Sequence, residues 1–218
     1  MELVDLYDEN RVPLGRTAER YGKKGPGEYR VVVHVCVFDE AGHVLIQQRS
    51  SEKRIWPGRW DVAAAGGVDA GETSRQAAER EFREELGFPL DLQGLRPAVT
   101  VQFEAGFDDF FIAEQNIELD TLTLQQEEVA QVRWVTLEQV LDMVDDGSFI
   151  PYPKSFCSFS LICGERSVSL PNKKKRRREK SLPAPLPLQS VLERMGIRRT
   201  QSPLSRSYQE KNGSGALP

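Results

Sequence analysis

Cysteine and histidine are scarce in this chain. Its 218 residues hold three cysteines, Cys36, Cys157 and Cys163, and two histidines, His34 and His43. No Cys-x-x-Cys pair exists, which argues against a closed zinc site of thiolates and imidazoles. The odd, scattered set also makes no disulfide framework and suits a reducing compartment. Long apolar runs are missing as well. None approaches the roughly 20 residues of a membrane-spanning helix, so no membrane partner is expected. The opening Met1-Glu2-Leu3-Val4-Asp5 is acidic where a secretory leader is basic. The expected compartment is the cytoplasm.

What is present falls into two kinds of polymer. The net charge of −4 conceals an asymmetry. Residues 165–218 carry 13 basic and 4 acidic residues, while the remainder has a net charge of −13. Pro, Ser, Lys and Arg dominate that tail and its apolar residues keep no period. Such a segment cannot bury enough surface to offset its ordering entropy, and disorder is expected. The run Lys173–Arg178 reads as a solvated charge cluster with no specific nucleic-acid partner, and Val191–Met195 as a short transient helix. An unselected extension fits the same composition. Removing 170–218 is expected to leave turnover and thermal stability unchanged. The expected division is therefore an N-terminal strand and loop segment over 1–28, one folded domain over 29–164, and the tail over 165–218.

Within the domain the period of the apolar residues sets the elements. Leu3–Tyr7 predicts a short first strand. Tyr29–Phe38, YRVVVHVCVF, is rich in β-branched residues and nearly continuous in apolar character, which suits a strand buried on both faces. Asp39–Gly42 supplies a turn and His43–Gln48 returns, making a hairpin. Trp60–Val68 predicts a further strand. Thr73 to Leu86 then changes to helical spacing: Thr73-x-x-Gln76 is a capping box, Gly87 a stop, and Ala77, Ala78, Phe82 and Leu86 an inward stripe. Leu95–Glu104, Phe110–Glu114 and Val129–Val135 read as strands. Thr136-x-x-Gln139 caps a second helix over about 137–144. Strands, helix, strands, helix make an α/β pattern with helices on the faces of a mixed sheet.

One stretch carries chemistry: GGVDAGETSRQAAEREFREELGF, residues 66–88. Residues three and four apart on a helix share a face, so Glu81, Glu84 and Glu85 are neighbours there. Three adjacent carboxylates repel, and a divalent cation is the obvious compensation. Hard cations such as Mg²⁺ take carboxylate oxygens and leave positions for water and phosphate. Gly66-Gly67, arriving just before the helix, permits close backbone approach. Arg80 is placed to hold a carboxylate through paired hydrogen bonds. Glu72 sits at the helix N-terminus, where the macrodipole favours an anion.

This spacing resembles the Nudix box, G-x5-E-x7-R-E-U-x-E-E-x-G-U with U apolar, at every fixed position. The resemblance implies an α/β/α sandwich with the mixed sheet between helices, and hydrolysis of a diphosphate linkage, in that family characteristically of a nucleoside diphosphate derivative, with Mg²⁺ or Mn²⁺. Carried over by position, Glu81, Glu84 and Glu85 are the implied metal ligands, Glu81, Glu84 and Arg80 the implied catalytic set, and Glu72 a support. Gly66, Gly67 and Trp60 are the candidate substrate contacts. The general base is left among Glu81, Glu127 and Glu128. A homodimer is the family-level expectation for assembly.

Trp56-Pro57-Gly58-Arg59-Trp60 resembles the isopentenyl-diphosphate isomerase branch of the same fold. That branch implies an alternative, proton movement on an allylic diphosphate with no attack by water. Three positions depart from it: Ala65 stands where the branch needs a cysteine, Arg30 where it has a metal-binding histidine, and Ala105 and Phe107 where its glutamate pair falls. These departures favour the hydrolase. Other proteins keep the fold as a ligand sensor and typically lose box glutamates, which this chain retains. His34 and Cys36 read as core residues, Trp56 and Trp60 equally as core or as stacking on substrate, and Asp108-Asp109 as a turn first and as a substrate contact second.

Overall fold

In the computed structural model, which describes residues 2–154 and Cys157, the apolar run of the sequence becomes the central strand of a mixed sheet. The strands are β1 Leu3–Tyr7, β2 Pro13–Glu19, β3 Arg30–Phe38, β4 Val44–Arg49, β5 Trp60–Val62, β6 Ala64–Gly67, β7 Val99–Phe103, β8 Gly106–Glu114 and β9 Val129–Val135. The helices are α1 Ser74–Leu86 and α2 Leu137–Asp145. β1 and β2 form a separate antiparallel pair, and the other seven strands make one sheet.

β3 explains why its sequence is almost continuously apolar. Val31, Val33, Val35 and Val37 point into a core shared with Ala77, Ala78, Phe82 and Leu86 of α1. Cys36 and Phe38 point into a second core with Val140 and Met143 of α2. Each face of the strand is covered by a helix, giving the expected α/β/α layering. All four residues of the α1 stripe are fully buried. At roughly 1.5–3 kcal/mol for each large apolar side chain, Phe82 and Leu86 fix the helix against the sheet. Thr73 caps α1 through the capping box, and Gly87 ends it at φ 67, in the left-handed region where a Cβ is disfavoured. Thr136 and Gln139 cap α2 in the same way.

The hairpin of β3 and β4 is short. They pair only at Val37–Leu45 and Phe38–Val44. Beyond that point β3 takes β6 as its antiparallel partner, with His34 opposite Ala65. β4 instead pairs with β5 and β9. The expected single strand over 60–68 is therefore two, changing partner at the fully buried Ala63. This divergence of β4 from β6 opens the sheet beside α1.

Three further expectations need adjustment. Residues 13–19 form β2, a second strand in the segment expected to hold one strand and a loop. The strand expected at 110–114 begins at Gly106 and runs parallel to β3. Asp108 and Asp109 consequently lie within a strand and face opposite sides. Each has a cationic or imidazole partner: Arg11 donates to Asp109 at 2.7 Å, and His34 Nε2 stands 3.2 Å from Asp108. The basic tail, its Lys173–Arg178 run and the helix expected at Val191–Met195 lie outside the described residues. Among the described residues no helix is long and apolar enough to cross a membrane.

Candidate active site

Glu81 and Glu85 are one helical turn apart on the sheet-facing side of α1. Both are buried, at 7% and 3% exposure, although both are carboxylates. A Cβ built on Gly66 would lie 2.0 Å from Glu81 Cδ, so the carboxylate occupies the volume that a side chain there would need. Glu85 Oε2 accepts from Gln47 Nε2 on β4 at 2.9 Å and from the Ala65 amide on β6 at 3.4 Å. The carboxylate thus bridges the opening between the two diverging strands. Burial pushes Glu85 up to about 7, and the neighbouring Glu81 charge acts in the same direction. Burial also raises Glu81, against the pull of Arg80.

Arg80 organises the acidic face. Its Nε donates to Glu72 at 3.0 Å, its Nη1 to Glu81 at 2.9 Å and Glu84 at 3.1 Å, and its Nη2 to the Gly67 carbonyl at 3.0 Å. One guanidinium therefore ties the helix to the glycine strand. Glu72 completes the clamp by accepting from the Asp69 amide at 3.2 Å. The three implied ligands, Glu81, Glu84 and Glu85, point in two directions. Glu84 is half exposed and turned toward Arg80, because its place on the helix faces outward. Among the described residues no three Asp, Glu, His or Cys side chains form a ready-made metal cage. Glu81 and Glu85 remain as a pair. The Gln47 Oε1 atom beside them is buried with no hydrogen-bond partner. An all-oxygen set of this kind suits a hard divalent cation.

In front of Ala65, Gly66 and Gly67 lies a cleft of about 660 Å³. Arg20, Arg30, Arg49, Lys53 and Arg54 line it, together with Asp61, Asp108, Glu127 and Glu128. Lys53 is ion-paired with Glu128. Its pKa is lowered, by burial first and then by Arg49. On the floor His34 stacks on Phe110 at 4.4 Å, and its Nδ1 is 3.2 Å from the Tyr152 hydroxyl, which donates to Asp61 at 2.9 Å. His34 is thus a buried histidine, as expected, but it lines the cleft, and only its Nδ1 is hydrogen-bonded: Nε2, 3.2 Å from Asp108, makes no hydrogen bond among the described residues. Cys36 is buried outside the cleft, where burial pushes its thiol up to about 12.

The tryptophans separate. Trp60 is 8% exposed, packs in the α2-side core and carries Arg133 over its ring at 4.1 Å. The structure does not place it among the cleft residues, because its strand neighbours turn that face toward α2. Trp56 lines the cleft and is 41% exposed. Arg20, Tyr21, Gln47 and Lys53 are the site residues that the spacing of the box did not indicate. Gln47 carried a signal, a polar residue in an apolar strand. Arg20 and Tyr21 carried none, since only the folded hairpin brings them here.

A model of the NUDIX domain matches residues 28–153. An uncharacterized Nudix hydrolase of Listeria innocua is 51% identical over 152 residues, which cover 70% of this chain and 90% of that one. An isopentenyl-diphosphate Delta-isomerase of Streptomyces avermitilis is 34% identical over 113 residues, covering 52% of this chain and 56% of that one. A solved structure from Deinococcus radiodurans shares the fold with a TM-score of 0.60 at 22% identity, covering 74% of this chain and 99% of that one. The domain match spans more than half of the chain and contains the complete box, so this chain belongs to the Nudix hydrolase family.

Proposed function

We propose that the protein hydrolyses a diphosphate linkage in a small molecule, a nucleoside diphosphate derivative, in a reaction that needs Mg²⁺ or Mn²⁺. The observation that carries this reading is the buried pair Glu81 and Glu85, set behind Gly66 and Ala65 at the back of a cleft lined by cations. Glu81 and Glu85 are the inner ligands, with Glu84 available from the outer face of α1. The ion would supply charge neutralisation on the diphosphate and an acidified water. Arg80 holds Glu81 in place and fixes its distance from the glycine backbone. The arginines and lysine of the cleft balance the remaining phosphate charge. Glu127 and Glu128 line the cleft and stay candidates for the base, Glu128 being held by Lys53.

The isomerase alternative is less well supported. It needs an acid or base at position 65, where Ala65 presents a methyl group to the cleft. Cys36 and Cys157 are buried and do not line the cleft. The test is a panel of diphosphate compounds incubated with Mg²⁺, with EDTA and Glu85→Gln as controls. Metal-dependent cleavage removed by both controls supports the hydrolase. Unimpaired cleavage by Glu85→Gln would sink the assignment of that residue.

A further inference from the structure

The matched domain begins at residue 28, yet the cleft is lined in part by Arg20 and Tyr21. Both belong to the end of the β1–β2 hairpin, outside the domain match. We propose that this N-terminal hairpin completes the active cleft by placing the Arg20 guanidinium against the diphosphate of the substrate. The inference rests on the diphosphate reading above and deepens it.

The position of Arg20 is specific. Its Nη2 lies 4.0 Å from Glu81 Oε1, and its Nη1 pairs with the exposed Glu2 at 2.8 Å. A Cβ on Gly67 would come within 2.9 Å of Arg20 Nε, so the second glycine of the box leaves room for this side chain. The guanidinium therefore stands beside Glu81 at the wall of the cleft. A diphosphate bound near those carboxylates presents anionic oxygens to it, and the planar fork of arginine matches them in pairs. Glu2 is a surface partner that a phosphate can replace at little cost.

The segment presenting Arg20 is built rigidly. The Lys24 ammonium donates to the carbonyls of Glu19, Arg20 and Gly22 at 3.2, 3.0 and 3.1 Å. Arg30 adds a bond to the Arg20 carbonyl at 3.3 Å. The hairpin itself is docked at several places. Ala70 donates to the Leu3 carbonyl at 2.8 Å, and Tyr7 and Tyr29 exchange backbone bonds at 2.9 Å. At its turn Arg11 reaches the fully buried Asp109. A loop held this way loses little entropy when it meets a ligand. Tyr21 follows directly, 61% exposed, with Arg20 and Arg54 over its ring at 5.6 and 5.7 Å.

The test uses the full chain with Mg²⁺ and imidodiphosphate, a non-hydrolysable diphosphate, titrated by calorimetry. Mn²⁺ binding alone is measured in parallel. Arg20→Ala is expected to weaken imidodiphosphate binding by about tenfold or more, with Mn²⁺ affinity unchanged. Arg16→Ala, on the same hairpin but 60% exposed and paired with Glu28, is the control and is expected to bind as wild type. Wild-type affinity in Arg20→Ala overturns the inference. So does an equal loss of Mn²⁺ binding, which would mean that Arg20 only positions Glu81. If Arg20→Ala does not unfold cooperatively, Arg20→Lys decides: loss of the fork should still weaken binding severalfold, and unchanged affinity overturns the inference. A wild-type protein that neither binds imidodiphosphate nor cleaves any diphosphate rejects the function itself, a different result from wild-type binding that survives the loss of Arg20.

Discussion

The carboxylate of Glu81 stands where a side chain on Gly66 would have to go, 2.0 Å from a Cβ at that position. The spacing between the first glycine and the first paired glutamate of the box is therefore a packing relationship as well as a chemical one. Gly66→Ala must displace Glu81 or the strand. A misplacement of about 1 Å at a reacting centre costs roughly 100-fold in rate. Gly66→Ala is expected to fold, to melt at a lower temperature, and to lose turnover by at least that factor. Steady-state kinetics alongside a melting curve would show it; wild-type turnover would mean that the close approach has no functional weight.

Arg80 bonds to Glu72, Glu81, Glu84 and the Gly67 carbonyl at once. Lysine keeps the charge but has no planar fork to serve four acceptors. Arg80→Lys is expected to lower kcat by about tenfold or more while leaving KM for the substrate within a few-fold. A rise in KM alone, with kcat intact, would place Arg80 on the substrate instead of on the carboxylates.

Glu85 makes a prediction about pH. Its pKa is raised from the ordinary 4.5 to about 7 by burial and by Glu81. Between those values the native state holds a proton that the unfolded chain has released, so metal-free stability falls as pH rises through this window. A divalent cation competes for the same oxygens, so stabilisation by Mg²⁺ grows with pH over the same range. Melting temperatures in EDTA and in Mg²⁺, taken from pH 5 to 8 for wild type and Glu85→Gln, test both statements. The variant should lose the downward slope that separates it from wild type. Parallel curves for the two proteins would contradict the assignment.

The Arg11–Asp109 pair anchors the N-terminal hairpin, with Thr100 Oγ1 donating to the same carboxylate at 2.6 Å. Asp109 is fully buried, so removing Arg11 strands a charge. Arg11 itself is one-third exposed, which limits the cost to about 1.5–3 kcal/mol, the range for hydrogen bonds to a charged group. Arg11→Ala should shift the urea midpoint accordingly. Its imidodiphosphate affinity should also fall, since the hairpin carries Arg20. An unchanged midpoint would show that the hairpin is held elsewhere.

Local chemistry was readable from the chain, and contacts between distant segments were not. The two capping boxes, the Gly87 stop and the buried stripe of α1 follow from residues within a few positions of one another, and each stands where its spacing indicated. The double burial of β3 was legible because a strand between two helical layers has no polar face to show. The break at Ala63 was not, since it depends on β4 and β6 separating. Nor was the direction of Glu84, which shares the acidic sequence with Glu81 and Glu85 but sits on the outward side of the helix. Asp108-Asp109 read as a turn because adjacent acids usually face water. Here opposite faces of one strand give each its own partner. Arg20 lies 61 positions before Glu81, and nothing local in its surroundings marks it as part of the site.

On the proposed function, this cleft directs water at a diphosphate linkage. Incubating the protein with Mg²⁺ and the panel in ¹⁸O-labelled water, and following products by ³¹P NMR, tests it directly. Cleavage that EDTA abolishes is expected, with label entering one phosphate of the product. Absence of cleavage across the panel would contradict it, as would isopentenyl diphosphate rearranging with its diphosphate intact and unlabelled.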